Sequence, residues 1–471
     1  MIKLIIEKEL REIIGSTKFA VTFGVCSLLI VLSFYVGGRN YQIGMEQYEA
    51  GNRENLRKME GITDWTDVRE RRILLPPQPI TSLVMGVSND IGRNIGVRGR
   101  GELDAEDSKY GEDPIYAVFR FVDLDFIFQI VLSLFAILFA YDAVNGEKER
   151  GTLRLTFANA VPRGSYILGK IFGSFLALAI PLIIPILMGA LILIIMKIPL
   201  LGSDWVRLAL VVVAGYLYFG AILAISLFIS ASTEKPSSSF LLALIIWILS
   251  VMVIPRTAVL LAGRAVDVPS VDEISSKKSR YSAALWQDDR KKMADFHAAE
   301  GVAPDQMMKE FQKFMSGMND EREKKESEFA ERLNEERRNR QILQEKAAFG
   351  LARISPAATF SLASTAIAGT GIHLKDEYKR SAEEYQKSFA EFIKGKTGVT
   401  PSGGLIFMIS VGGEESKKIP INPMEIPKFE FRQPPLRESL GDAAIDFGIL
   451  ALFDLIFFAG AFIAFSRYDV R

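Results

Sequence analysis

Residues Tyr141–Lys170 read YDAVNGEKERGTLRLTFANAVPRGSYILGK, a polar stretch between two apolar runs, Phe121–Ala140 and Ile171–Met196. Each run supplies the roughly 20 apolar residues that cross a hydrocarbon core of about 30 Å. The chain is therefore read as a polytopic membrane protein. Lys148, Arg150, Arg154, Arg163 and Lys170 crowd the connection, the excess of basic residues expected of a cytoplasmic loop.

Working outward, four further runs meet the same test: Phe19–Val36, Trp205–Ser230, Ser238–Ala262 and Ala444–Phe465. Six spans, 19–36, 121–141, 171–196, 205–230, 238–262 and 444–465, put both termini on one side. The lysines and arginines of the short loops assign that side to the cytoplasm. Two long polar regions, 37–120 and 263–443, then face outward, and residues 466–471 form a cytoplasmic tail. The first run is read as retained rather than cleaved, because the preceding segment carries acids and no small-x-small site follows in GGRNYQ. Residues 1–18 place Ile2, Leu4, Ile5, Ile6, Leu10, Ile13 and Ile14 near helical spacing against Lys3, Lys8 and Arg11. This is an amphipathic helix suited to the membrane interface.

Within the polar loop, Glu147, Gly151-Thr152-Leu153, Pro162-Arg163 and Leu168-Gly169-Lys170 follow one another in an order that resembles permease subunits of type-2 ABC exporters. The further likeness is to the subfamily with large extracytoplasmic insertions. The resemblance implies that the loop docks into a separate ATPase subunit. Its interface would comprise Glu147, Arg150, Gly151, Thr152, Leu153, Arg154, Pro162 and Arg163. Gly151-Thr152-Leu153 would form the contact, and Glu147, Arg150, Arg154 and Arg163 would supply charge complementarity. It also implies an N-terminal elbow helix, a second permease (identical or related), and export as the work done. ATP and magnesium would reside on the partner ATPase and no cofactor on this chain. A plasma (inner) membrane of a prokaryote follows as the expected location.

Composition excludes several other classes. Lys plus Arg and Asp plus Glu each number 56, so no basic face for nucleic acid is indicated. The single cysteine, Cys26, lies in an apolar run, and the two histidines, His297 and His373, are remote from each other. Neither a disulfide framework nor a metal centre is expected. No Ser-His-acid order points to an enzyme. Gly164–Lys170 formally matches G-x-x-x-x-G-K, but Ile171 stands where a P-loop needs Ser or Thr, and an apolar span follows. Gly169 and Gly173 read instead as a close-packing pair.

One acid stands out. Asp454 falls in the middle of the sixth apolar run, FGILALFDLIFFAGAF, where a carboxylate is costly and marks a functional position by default. It is expected either to line a polar pathway between permease subunits or to be a protonated side chain hydrogen-bonded to a Ser or Tyr of a neighbouring helix.

The outward regions are expected to be mainly helical with minor β-structure. Pro76-Pro77 and Pro79 enforce extended backbone, and glycines 86, 92, 96, 99 and 101 read as turn formers. Residues 271–299 and 304–349 are rich in Lys, Glu, Arg and Ala, the composition of long solvated helices in a hairpin. Such a region also offers a surface to an extracytoplasmic protein partner. Residues 353–372 are too polar for a seventh span and are expected to lie at the interface or packed within the domain. Gly403–Val411 and Lys417–Ile421 suggest a β-hairpin, and the Pro-rich stretch from Pro420 to Pro435 an extended return to the sixth span. The fold class is all-α polytopic membrane protein.

Overall fold

Apolar runs without interior turn signals fold into helices, because helices satisfy every backbone polar group where water is absent. A computed structural model describes residues 1–68, 70–88, 91–99, 103, 105–106, 123–158, 161–294, 304–397 and 421–467. Six of its helices are long and apolar enough to cross a membrane. The protein is a polytopic membrane protein of the all-α class, with minor β-structure outside its spans. Its described residues fall into two compact units, Met1–Thr257 with Leu351–Arg471, and Ala258–Gly350.

In the larger unit, α1 (Ile2–Ile14) ends at Gly15, and Ser16 caps α2 by accepting from the Phe19 N–H at 3.1 Å. The first apolar run continues without a break, since α2 spans Thr17–Arg57. Gly37 and Gly38 do not interrupt it. They let it pass close to its neighbours, for a Cβ on Gly38 would lie 2.8 Å from Met196 Sδ. The second span is α3 (Leu124–Phe126) and α4 (Ser133–Ala140), joined by a π-helical turn over Ile127–Leu132. Short helices α5 (Asn145–Glu149) and α6 (Thr152–Ala158) follow. The third and fourth spans are α7 (Arg163–Ile195) and α8 (Gly202–Ser232), and α7 runs on through Pro181 and Pro185. The fifth is α9 (Pro236–Ile248) and α10 (Ile254–Ala265), joined by a second π-helical turn over Leu249–Val253. The sixth is α15 (Leu436–Ser466). The loop expected over 142–170 is thus largely helical, and its last eight residues belong to the third span.

Burial orders these spans. The second and fourth are the most buried, while the first, third, fifth and sixth expose Leu28, Ile184, Leu187, Leu241, Leu260, Leu455 and similar side chains. In water such a surface would drive aggregation. Beside lipid it is the expected exterior.

Residues 353–372, expected at the interface or within the domain, form α13 (Pro356–Ala368), which packs among α8, α15 and the two π turns and is buried along nearly its whole length. Three charged side chains from three spans hold it. Asp125 of α3 accepts from Ser361 Oγ at 2.9 Å and Ser364 Oγ at 2.5 Å. The Arg207 guanidinium of α8 donates to the Ile367 and Pro434 carbonyls, both at 2.5 Å, and to Ser439 Oγ at 2.9 Å. Arg353 forms a two-pronged bond to Asp446 of α15 at 2.6 and 3.1 Å. Both π turns meet the N-terminal part of this helix. Gln129 Nε2 donates to the Ala357 carbonyl at 3.0 Å, and Ser355 Oγ donates to the Ser250 carbonyl at 2.6 Å.

Beyond this end of the bundle, the two long polar regions build one small domain together. Strands β1 (Glu70–Leu74), β2 (Asn94–Arg98) and β3 (Ala105–Glu106) form an antiparallel sheet in that order, with Ile73 opposite Ile95. Helix α14 (His373–Thr397) covers it, burying Leu374, Tyr378, Tyr385, Phe389 and Ile393 against Trp65, Ile73, Ile95 and Val97. The β-structure expected at 403–421 falls outside the described residues except for Ile421. Gly96 corrects the reading of turn-forming glycines: it sits inside β2, where a Cβ would lie 2.5 Å from Glu70 Oε1. Gly86 and Gly92 do take the left-handed backbone that turns require, with φ of 49° and 76°.

The smaller unit is a helical hairpin of α11 (Val271–Ala294) and α12 (Pro304–Ala352). Tyr281 stacks on Phe329 with ring centroids 4.1 Å apart, and Arg322 binds Asp289 at 2.7 Å while lying 3.8 Å above the Trp286 ring. Arg337 Nε reaches the Pro269 carbonyl at 3.0 Å.

Candidate functional site at the elbow end of the bundle

The residues singled out in the loop gather where α1, α5, α6 and the start of α7 meet. Their placement begins with two glycines. A Cβ on Gly169 would sit 2.6 Å from Ile5 Cγ2, and one on Gly173 would sit 2.7 Å from Glu9 Cβ. Only glycine lets α1 lie this close on α7. The close crossing lowers Glu9 onto Lys170, which stands one residue after Gly169.

Lys170 is the centre of a buried charge cluster. Its Nζ lies 2.8 Å from Glu9 Oε1 and 2.9 Å from Glu147 Oε1, and all three side chains are almost fully enclosed. Lys8 Nζ reaches Glu147 Oε1 from the rim at 2.7 Å, and Tyr166 OH donates to Glu147 Oε2 at 2.5 Å. Two carboxylates and two ammonium groups therefore balance one another. Burial pushes the Glu9 carboxyl above the usual carboxylate range, and the Lys170 ammonium beside it works in the opposite direction. The carboxylates of Glu9, Glu12 and Glu147 approach one another closely enough to hold a cation. The Lys170 ammonium already lies between Glu9 and Glu147, so the donor set is matched by the chain's own positive charge.

Apolar and polar contacts seat the rest. Tyr166 stacks on Phe465 of α15 at 5.0 Å, and Phe157 of α6 closes on both rings. Asn145, fully buried at the start of α5, donates to Thr233 Oγ1 at 3.0 Å and accepts from Ser230 Oγ at 3.2 Å. Gly151 ends α5 in the left-handed conformation, with φ of 74°, a backbone that favours glycine there.

This geometry sorts the eight residues expected at the interface. Arg150, Gly151, Thr152, Arg154, Pro162 and Arg163 are exposed. Glu147 and Leu153 are not, being 2% and 1% exposed. The expectation that Glu147 supplies charge to a partner is corrected, since its charge is spent on Lys170 and Lys8. Leu153 likewise anchors α6 inward, so of Gly151-Thr152-Leu153 only the first two present a surface. Beside them Leu155 is 68% exposed, an apolar residue in a basic rim. Arg163 donates to the Ser466 carbonyl at 2.7 Å and so caps the last turn of α15. Glu9, Tyr166, Asn145 and Ser230 escaped the reading of the sequence. Glu9 did leave a signal: an acid on the apolar face of α1, between Ile5, Ile6 and Ile13.

Asp454 is elsewhere. It is half-buried in α15, facing α8, where a Cβ on Gly220 would lie 2.9 Å from its Oδ1. The formal G-x-x-x-x-G-K match, Gly164–Lys170, is helical throughout and belongs to α7.

Six membrane-length helices with an amphipathic N-terminal helix clasped to the α5–α6 segment define a multi-pass membrane protein. The family model of the ABC-2 family transporter proteins matches residues 4–470, and the chain belongs to that family. A stretch of 124 residues is 35% identical to the probable ABC transporter permease protein NosY of Stutzerimonas stutzeri. That stretch covers 26% of this chain and 45% of NosY, so the likeness spans less than half of the relative's length.

Proposed function

We propose that this ABC transporter membrane subunit couples ATP hydrolysis by a separate ATPase to export of a substrate across the plasma (inner) membrane of a prokaryote. The observation that carries the reading is a rim of exposed groups mounted on a rigid base. Arg150, Gly151, Thr152, Arg154, Pro162 and Arg163 face outward, while the buried cluster around Lys170 fixes the helices beneath them. In this reading the ATPase docks on that rim from the cytoplasm, where both termini lie. ATP and magnesium sit on the ATPase, and a second permease, identical or related, completes the membrane pathway. The family to which the chain belongs and its partial likeness to a permease support the arrangement.

A second reading has its own observation. Helix α2 runs unbroken for 41 residues from the elbow to the domain at the far end, a rod of about 60 Å at 1.5 Å per residue. Such a rod transmits movement, so the ATPase stroke would act on an extracytoplasmic protein partner without passage of a substrate.

Charge reversal tests the docking surface shared by both readings. Arg150→Glu with Arg154→Glu is expected to abolish co-purification of the partner ATPase while the membrane domain stays folded, its thermal unfolding temperature lowered only by loss of the exposed Arg150–Glu12 pair. Wild-type co-purification by the double variant would rule out the rim as the docking site.

A further inference from the structure

We propose that Lys170 is a positioning residue that binds the elbow helix and the α5–α6 segment into one body on the third span, so that a push on the rim moves α1 and α7 together. The inference rests on the ATPase-docking reading above and names the groups that carry the force after docking.

Covalent connection alone would not do this. Helices α5 and α6 join α7 through residues 159–162, and α1 belongs to another part of the chain, joined to α2 at Gly15-Ser16. A single ammonium has three donors and no acceptor. Here the Lys170 ammonium lies 2.8 Å from Glu9 Oε1 of α1 and 2.9 Å from Glu147 Oε1 of α5 as a shared ion pair, and its own stem is fixed in α7. Three helices thus share one buried point charge. Neither carboxylate can leave without stranding a buried charge, which makes the joint stiff rather than merely adhesive. The second carboxylate oxygen of Glu147 is held by Tyr166, also from α7. Lys8 adds a second strut from α1 to Glu147. Glu12 and Arg150, 3.7 Å apart at the surface, complete the seam between α1 and α5 and link it to the exposed rim. Every member of the path from Arg150 to the third span is therefore in contact with the next.

Glu9→Gln tests this without removing the cation. It keeps the shape of the side chain, leaves the Lys170–Glu147 pair and the Lys8 strut intact and removes the charge from the arm that joins Lys170 to the elbow. The control is Glu7→Gln, whose carboxylate pairs with Arg11 on the exposed face of α1. The full chain is reconstituted in lipid nanodiscs with its partner ATPase. Three quantities are read: ATPase retained, change in ATP turnover caused by the permease, and amide hydrogen exchange in Ile2–Ile14. Glu9→Gln is expected to retain the ATPase at the wild-type level. It should also lower the permease-dependent change in turnover by about fivefold, a size typical of residues that carry coupling, and speed exchange in α1. Glu7→Gln should do neither. Wild-type turnover and exchange in Glu9→Gln would overturn the proposal, as would loss of turnover with unaltered exchange. If the wild-type chain itself retained no ATPase, the docking reading would fall, and the exchange comparison would still decide whether Glu9 and Lys170 fasten the elbow.

Discussion

The two ends of the helical bundle both place charges out of water, yet they spend them differently. At the elbow end, charge meets charge: Lys170 and Lys8 neutralise Glu9 and Glu147. At the far end, two of the three charged anchors meet neutral groups. Arg207 binds two carbonyls and a hydroxyl, and Asp125 binds two hydroxyls. Only Arg353 and Asp446 form an ion pair there, and Arg353 keeps 27% of its side chain exposed. The physical consequence is a difference in what remains after a deletion. Removing one partner of a closed ion cluster strands a charge, whereas removing a charge from carbonyls and hydroxyls strands groups that are merely polar.

That contrast is broken or sharpened by substitution. The largest effect is expected from Lys170→Met, which leaves Glu9 and Glu147 enclosed with one peripheral ammonium between them. A loss of about 3–5 kcal/mol is expected, read as a fall in thermal unfolding temperature in detergent and in membrane yield. Restoring much of it with the triple change Glu9→Gln, Glu147→Gln, Lys170→Met would show that stranded charge, rather than lost packing, was the cause. Arg207→Met comes next. It frees the end of α13 and the start of α15, leaving neutral hydrogen-bond acceptors and the buried Asp204 without its neighbouring cation, for a cost of about 1–3 kcal/mol. Hydrogen exchange in residues 356–368 should rise more than in α1; equal loss at both ends would erase the distinction drawn here. The smallest effect on stability is expected from Asp454→Asn, between the two ends, at under about 1 kcal/mol because the site is half-buried and the change nearly isosteric. Its transport rate is the sharper reading. A normal rate would remove Asp454 from the pathway expected of it.

The far end adds a second contrast within the spans themselves. Both π turns, 127–132 and 249–253, lie where spans two and five meet the N-terminal part of α13. An extra residue in the turn re-aims the side chains that follow it, and here Gln129 and Ser250 supply the polar contacts. Neither turn is announced in FVDLDFIFQIVLS or IIWILSVMVIP, which read as uniform apolar helix. The basic character of the elbow rim, by comparison, is written plainly in EKERGTLRL, although Glu147 and Leu153 of that stretch are buried.

Much of the protein was therefore legible before any fold was known. The six spans follow from hydropathy, because a helix in lipid must be apolar whatever surrounds it. The amphipathic elbow follows from the spacing of Ile2 to Ile14, and the hairpin α11–α12 from a density of charges that only solvated helices tolerate. The order of Glu147, Gly151, Pro162 and Lys170 already placed the chain beside a transporter family. Tertiary structure alone decided the direction in which those residues point. Glu147 and Lys170 look in sequence like members of a charged loop and are buried partners, since the close crossing permitted by Gly169 and Gly173 brings α1 over them. Most of residues 353–372, too polar to be read as a span, is buried within the bundle as α13, where Asp125, Arg207 and Gln129 meet its hydroxyls and carbonyls. The far domain is likewise a tertiary product: its sheet comes from one polar region and its covering helix from another, with Ile73 and Tyr378 lying 305 residues apart in sequence. Local patterns record what each segment buries, and the partner it is buried against is set only when the whole chain is packed.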